Sequence, residues 1–187
     1  MDNTFLSAEI QQQLLLLARD SIESVFSHKP LPQPNNLPAV LNEKRGVFVT
    51  LKENGQLRGC IGCIEGIAPL WQTVSEMAQA AAFSDPRFEP LTSDELGKIQ
   101  IEVSVLTPSQ PVHDIGEIQE KKHGVIVQQG SHKGVFLPQV WGETGWDKAE
   151  FLSNLCFHKA GISKDAWKTG EVQLFVFEAQ VSREKAT

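Results

Sequence analysis

GVFVTLKENGQLRGCIG, residues 46–62, predicts a β-hairpin. Residues 46–51 are rich in β-branched and aromatic types, and residues 56–61 have the composition of a returning strand. Asn54-Gly55 between them favours a tight two-residue turn, because both central positions of that turn need positive φ. A hairpin of this kind is the starting unit of an antiparallel sheet.

The register of this hairpin decides which side chains share a face. A two-residue turn places Val49 opposite Cys60. Because side chains alternate along a strand, Arg58 and Cys60 are then expected on one face, about 7 Å apart. A guanidinium at that distance favours the thiolate form of a cysteine.

Two interpretations of this segment stay open. Gly59 and Gly62 leave bare backbone where a ligand or another chain segment can approach, which favours an anion-recognising pocket with Cys60 as a nucleophile. Alternatively, Cys60 is a small buried apolar residue, Arg58 is a surface charge and the two glycines bend the strand.

Cys60 and Cys63 also form a C-x-x-C motif, which we do not expect to be a redox or metal site. The first cysteine lies inside a predicted strand instead of at a helix N-terminus, and no second cysteine or histidine pair would complete a zinc site.

The three cysteines of the chain are typical of a reducing compartment, and residues 1–4 lack a basic leader segment. The expected location is the cytoplasm.

Alternating helical and strand patterns along the rest of the chain predict an α+β fold. The sheets are expected to be mixed or antiparallel with flanking helices, arranged as two subdomains of a single domain, 1–187. The helices are predicted at 8–27 with Ser7 as cap, at 69–83, as a short helix after a Thr92–Glu95 capping box, and from Asp147 to Gly161 with His158 on its apolar side. Further strands are predicted at 99–105 (half-buried), 123–127, 134–137 and 172–177.

A weak internal echo suggests duplication. Residues 46–49 (GVFV) resemble residues 134–137 (GVFL), and each is followed by a helix and an alternating strand. The hypothesis is a repeated strand–strand–helix–strand unit with halves 46–106 and 123–178.

Other candidate site residues lie outside the hairpin. Asp85 and Arg87 flank a proline turn, where they either point at a ligand or satisfy each other. His123 begins a strand and is a candidate general base, although a polar strand end is the simpler interpretation. Trp141 and Trp146 line a pocket or interface, or else they anchor the following helix.

Charge and motif content exclude several function classes. The formal net charge is −6, from 17 Lys plus Arg against 23 Asp plus Glu, which disfavours nucleic-acid binding. The chain has no P-loop, no dinucleotide-binding glycine motif, no G-x-S-x-G and no H-E-x-x-H.

Several short motifs, taken in order, resemble the AMMECR-one domain family. They are Leu57–Gly62 (LRGCIG), residues 82–90 (AFSDPRFEP), 102–106 (EVSVL), 123–125 (HGV), 136–140 (FLPQV) and 145–146 (GW). The resemblance covers about residues 5–180 and is nearest to the prokaryotic branch called AmmeMemoRadiSam system protein A. It implies an α+β fold of two subdomains and genomic company with Memo-like and radical-SAM proteins. It implies no reaction and no known cofactor.

Two functional hypotheses follow. In the first, Arg58 binds the anionic group of a small ligand at Leu57–Gly62, with Cys60 as nucleophile or polar contact. The other members of that site would be Gly59, Gly62, Asp85, Arg87 and His123, with no metal. In the second, the protein is a non-catalytic partner that acts with Memo-like and radical-SAM proteins.

Overall fold

The computed structural model describes residues 5–33 and 37–185, and the chain divides into two units. Unit 1 comprises Met1–Thr107 with Gln180–Thr187, and unit 2 comprises Pro108–Ala179. Residues 1–4, which bear on the expected location, lie outside the described residues. Within the described ranges, no helix combines the length and apolar character that a membrane crossing requires.

The described helices and strands confirm the predicted α+β class. In chain order they are α1 (Ala8–Phe26), β1 (Val47–Glu53), β2 (Gln56–Cys63), α2 (Leu70–Phe83), β3 (Ile99–Leu106), β4 (Gln110–Pro111), β5 (Gly124–Gln129), β6 (His132–Phe136), α3 (Val140–Thr144), α4 (Lys148–Asn154), β7 (Gln173–Phe177) and β8 (Ala179–Arg183). They build two four-stranded sheets, β2-β1-β3-β8 and β4-β7-β5-β6. Pairing is antiparallel between β1 and β2, β1 and β3, β4 and β7, β5 and β6, and β5 and β7.

The first hairpin forms as predicted, but its register differs by one residue. Asn54 and Gly55 have φ of 51° and 78°, which fits the expected tight turn. Leu51 lies opposite Gly59 and Lys52 lies opposite Leu57, so Arg58 is an extra residue on β2. This bulge places Cys60 opposite Thr50. The expected pairing of Cys60 with Val49 is therefore wrong.

Helices α1 and α2 pack on one face of the unit 1 sheet. Val47, Val49 and Leu51 of β1 point into this core and are fully buried. Strand β3 is buried on both faces instead of one, because Glu102 and Ser104 on its other face are also buried. The half-buried expectation for residues 99–105 is thus wrong. Glu102 tolerates burial because Lys52 and Arg183 both pair with its carboxylate.

The segment that follows Thr92 forms turns where a short helix was predicted. Glu95 does accept from the Thr92 backbone N–H, at 2.8 Å, as a capping box requires. Its carboxylate also pairs with Arg58, and β3 begins only four residues later at Ile99. Too little chain remains for a regular helix.

Unit 2 packs α3 and α4 against its own sheet. Asp147 caps α4 through a capping box with Glu150, and Gly161, with φ of 67°, ends the helical stretch as predicted. From Leu155 to Ala160 the helix is of the π type. Its wider turn changes the side-chain spacing. His158 is consequently exposed, and its predicted place on the apolar side is wrong.

The two units share the topology that the repeat hypothesis describes. In each, the first hairpin strand is central, the second lies on one side, and a third strand after a helical stretch pairs on the other side. The GVFV echo does not follow this correspondence. Residues 47–49 lie in central strand β1, whereas residues 134–136 lie in edge strand β6. Descent of both units from one ancestor stays a prediction.

Candidate functional site

Asp85 and Arg87 hold the main chain of Cys60. Strand β2 is an edge strand of its sheet, so outward-facing backbone groups need partners other than a neighbouring strand. The Cys60 N–H donates to Asp85 Oδ2 at 2.8 Å. The Cys60 carbonyl accepts from Arg87 Nη2 at 3.2 Å. We call this Asp85–Arg87 pair the clasp.

The clasp is a tight ion pair on a buried carboxylate. Asp85 is 4% exposed. It accepts from Arg87 Nη2 at 2.7 Å, Arg87 Nε at 3.0 Å and the Arg87 backbone N–H at 3.1 Å. The hydrogen bond from the Arg87 side chain is the main reason that the pKa of Asp85 lies far below its usual range; burial acts in the opposite direction. Asp85 is therefore a carboxylate at all ordinary pH values.

The sulfur of Cys60 is half-buried on the face that α1 and α2 do not cover. Thr50 lies directly opposite, and its Oγ1 is 3.2 Å from Cys60 Sγ. The pKa of Arg87 is raised mainly by its hydrogen bond to Asp85. The Thr50 hydroxyl thus contacts the sulfur, while the Arg87 guanidinium contacts the carbonyl of the same residue.

Arg58 is held by Glu95. Its Nε and Nη2 donate to the two Glu95 oxygens at 2.7 and 3.2 Å. This pairing, with the Thr92 hydrogen bonds, lowers the pKa of Glu95 to about 2. Arg58 and Arg87 lie 5.9 and 5.6 Å from the centre of the Phe88 ring. Arg58, Cys60, Asp85 and Arg87 therefore share one neighbourhood, but both guanidinium groups have carboxylate partners within it.

The two glycines of the motif lie against other parts of unit 1. A Cβ on Gly59 would collide with the Ala81 carbonyl of α2. A Cβ on Gly62 would collide with the Phe48 ring and the Val47 carbonyl. The sequence allowed either a ligand or another chain segment to approach the bare backbone of these glycines. In the structure, other parts of the chain occupy the space beside both α-carbons.

Cys63 faces the opposite side of β2 from Cys60. The two residues are three apart, and Cys63 pairs with Val47 while Cys60 pairs with Thr50. Both are free thiols, as is the buried Cys156. Residues 5–33 and 37–185 hold no group of three or more side chains arranged to bind a metal ion.

His123 belongs to unit 2, so the site defined here from unit 1 residues does not include it. Its Nδ1 accepts from the Gln119 N–H at 3.2 Å, and its carbonyl accepts from Trp141 Nε1 at 2.7 Å. Burial is the main cause that lowers the pKa of His123, with a contribution from Lys122. The imidazole is therefore neutral at pH 7. Its role as a general base stays a prediction.

Trp141 is a core residue of unit 2. It is 2% exposed and stacks on Phe151 of α4, with ring centroids 3.6 Å apart. Trp146 is half-buried and lies 5.9 Å from the Phe136 ring. Of the two sequence interpretations, the structure supports Trp141 as the anchor of the following helix.

Thr50, Phe88 and Glu95 join the neighbourhood of Cys60, and the sequence did not identify them as members of a site. Thr50 was missed because the bulge at Arg58 shifts the register. Glu95 belongs to the predicted Thr92–Glu95 capping box, where its sequence position indicates a helix-capping role. One sequence signal could have indicated Glu95 as a partner of an arginine: the acidic character of residues 92–95, which supply carboxylates.

The fold and this site define the class of protein to which the chain belongs: an α+β protein of two units, each with a four-stranded sheet, whose LRGCIG strand is held by an Asp–Arg clasp. The family model described as AMMECR1 matches residues 15–182. The chain is a member of the AMMECR1 family.

Similar proteins cover nearly the whole chain. Protein NEQ441 of Nanoarchaeum equitans is 41% identical, over 91% of this chain and 98% of its own length. Protein Mbar_A1807 of Methanosarcina barkeri is 45% identical, over 90% and 87%. The crystal structure of uncharacterized protein PH0010 from Pyrococcus horikoshii superimposes with a TM-score of 0.85 at 36% identity, covering 96% of this chain and 94% of that one.

Proposed function

We propose that the protein binds a small anionic ligand beside Cys60, with the Cys60 thiol as the reacting group. The observation that carries this proposal is the contrast between the two parts of Cys60. Its backbone N–H and C=O are both tied by the clasp, whereas its sulfur is half-buried and interacts with the Thr50 hydroxyl. A reacting atom held by rigid neighbours is the arrangement that positioning requires.

Arg87 is the cation that we assign to the ligand. Its side chain is 54% exposed, and Nη1 has no partner among the described residues. Arg58, by contrast, is 14% exposed at its side chain and is held by both oxygens of Glu95. In this proposal Arg58 is a positioning residue, and the ligand's carboxylate or phosphate lies against Arg87. Gly59 and Gly62 shape the strand.

Two alkylating reagents of nearly equal size test this proposal. Iodoacetate carries a negative charge and iodoacetamide is neutral; in each case the cysteine sulfur forms an S–C bond and iodide leaves. For each cysteine, the rate with iodoacetate is divided by the rate with iodoacetamide. Because accessibility and intrinsic thiol reactivity affect both rates alike, they cancel in this ratio. At low ionic strength we expect this ratio to be about tenfold higher at Cys60 than at Cys63, because Arg87 attracts the anion. Peptide mass spectrometry reads each cysteine.

Variants of Arg87 provide the controls. Arg87→Gln should lower the Cys60 ratio to that of Cys63, whereas Arg87→Lys keeps the charge and should retain most of the preference. Cys156 is buried, and its pKa is raised mainly by burial, so it should stay unmodified in folded protein. Equal ratios at Cys60 and Cys63 in the wild type would contradict the anion site.

A partner role is the second candidate, and the exposure of Leu57 favours it. The first residue of LRGCIG is a large apolar side chain that is 44% exposed. We propose that a Memo-like or radical-SAM protein, the company that the family resemblance implies, contacts this side chain. Leu57→Ser should weaken binding to the purified partner in calorimetry about tenfold. Leu16→Ser, at a 54% exposed position on α1, is the matched control. Equal losses from both variants would refute this contact.

A further inference from the structure

An open cavity of about 970 Å³ lies at one end of the unit 1 sheet. Its walls are the hairpin turn Asn54-Gly55, residues 97–100, residues 184–185, Lys52 and side chains of α1. We call it the hairpin cavity. It is large enough for a metabolite and does not include Cys60, Asp85 or Arg87.

Positive charge dominates the lining of the hairpin cavity. Arg19 and Glu184 cancel each other in a two-point ion pair, with Nε–Oε1 of 2.7 Å and Nη2–Oε2 of 2.6 Å. Glu102, just outside the lining, is shared by Lys52 and Arg183 at 2.7 and 2.9 Å, so one carboxylate serves two cations. The cavity therefore holds more cationic charge than its carboxylates neutralise.

Two further lysines lining the cavity are uncompensated. Lys98 and Lys185 are both exposed, and neither has an ion pair or a side-chain hydrogen bond within residues 5–33 and 37–185. Such a concentration of cations is unexpected in a chain of net charge −6. Charges of one sign in a concave site raise the local concentration of oppositely charged solutes.

The other lining residues limit the chemistry of the ligand. Among the described residues that line the cavity, none is aromatic and Ile99 is the one large apolar side chain. It is 6% exposed. A base or an apolar ring would therefore find no stacking surface. Asn54, Gln100 and the lysines offer charge and hydrogen bonds, which suit anionic oxygens.

We propose that the hairpin cavity binds a small, multiply charged anion, of the oligophosphate or phosphorylated-metabolite class, through Lys98, Lys185 and Lys52. The ligand supplies the negative charge that Lys98 and Lys185 lack, and it adds to the Glu102 carboxylate that Lys52 shares with Arg183. This site is separate from the thiol site at Cys60 and does not depend on it.

Inorganic tripolyphosphate is the probe, measured by calorimetry on the full chain at two salt concentrations. We expect binding that weakens with salt, and a loss of about tenfold in affinity for each of Lys98→Ala and Lys185→Ala. Lys29→Ala removes an exposed lysine of the same unit outside the cavity and should leave the affinity within about twofold. Cys60→Ser should bind like the wild type, which separates this site from the thiol site.

A pair of variants at Gly97 tests the cavity without removing any lysine. A Cβ at Gly97 meets no atom within 4 Å, so a side chain fits there. Gly97→Glu should weaken tripolyphosphate binding about tenfold by charge repulsion, while Gly97→Gln, of the same size, should change it far less. The contrast does not depend on stability, since both variants add equal bulk.

Three results would overturn the proposal. One is the absence of tripolyphosphate binding to the wild type at low salt. The second is an equal loss of affinity in Lys29→Ala and Lys98→Ala, which would indicate non-specific attraction. The third is tighter, Lys98-dependent binding of a single-stranded RNA than of tripolyphosphate, which would assign the cavity to a nucleic-acid backbone.

Discussion

At the residue scale, one carboxylate organises the neighbourhood of Cys60. Asp85 is buried, accepts two backbone N–H groups and pairs with Arg87. Of its four hydrogen bonds, the one from the Cys60 N–H connects β2 to the turn after α2, and the three from Arg87 lie within that turn. Loss of this acceptor leaves the Cys60 N–H without its partner, and such losses are costly in a buried place.

The clasp should make stability depend on pH. The folded-state pKa of Asp85 lies below its ordinary value of 3.8, so the unfolded state binds more protons in this range. Asp85 therefore stabilises the fold above pH 3.8, and this contribution is lost as the pH falls further. We expect Asp85→Asn to lower the free energy of unfolding by about 1–3 kcal/mol at pH 7.

Urea unfolding of wild type and Asp85→Asn at a series of pH values measures this effect. The difference between the two proteins should shrink as the pH falls below 3.8, because Asp85 then binds a proton in the unfolded wild type before it does so in the folded protein. Asp94→Asn, the same substitution at an exposed position, is the control and should change the free energy of unfolding at pH 7 far less. A difference that stays constant at low pH would mean that the carboxylate charge does not stabilise the clasp.

At the element scale, the contact between β2 and α2 depends on Gly59. This residue is buried against the Ala81 carbonyl, and any Cβ would collide with helix backbone that cannot move aside as a flexible side chain would. Leu51, opposite Gly59 on β1, fills the same core. The close approach of α2 therefore requires a glycine at this position of β2.

Gly59→Ala should destabilise unit 1 by about 1–3 kcal/mol, as overpacking usually does. Gly97→Ala is the matched control, because its added Cβ would meet nothing within 4 Å. Chemical denaturation compares the two substitutions directly. Equal stabilities would show that α2 moves away from β2 at little cost.

At the scale of the whole molecule, the two units have the same arrangement of strands and helical segments. A hairpin contributes a central strand, a helical stretch covers the sheet, and a third strand completes the other side of that central strand. The sequence halves 46–106 and 123–178 contain these elements, although the GVFV echo pairs a central strand with an edge strand. Buried strands all select β-branched and apolar residues, so a four-residue match carries little positional information.

Local features of this chain were determined by the sequence alone. The α1 and α4 caps, the Asn54-Gly55 turn and the end at Gly161 follow from residue types a few positions apart. The ordered motifs also identified the family. These features need no distant partner, because caps and turns satisfy their hydrogen bonds within one short segment.

Only the tertiary structure decided how the site is built. The bulge at Arg58, the Arg58–Glu95 pair and the clasp on Cys60 join residues 25 to 37 positions apart or depend on the neighbouring strand. The sequence nominated Arg58, Cys60, Asp85 and Arg87, and it left open whether the arginines meet a ligand or serve the scaffold. Long-range packing placed Glu95 beside Arg58, because an arginine largely out of water needs an opposite charge within reach. Arg87 instead pairs with Asp85, two positions away in the same turn.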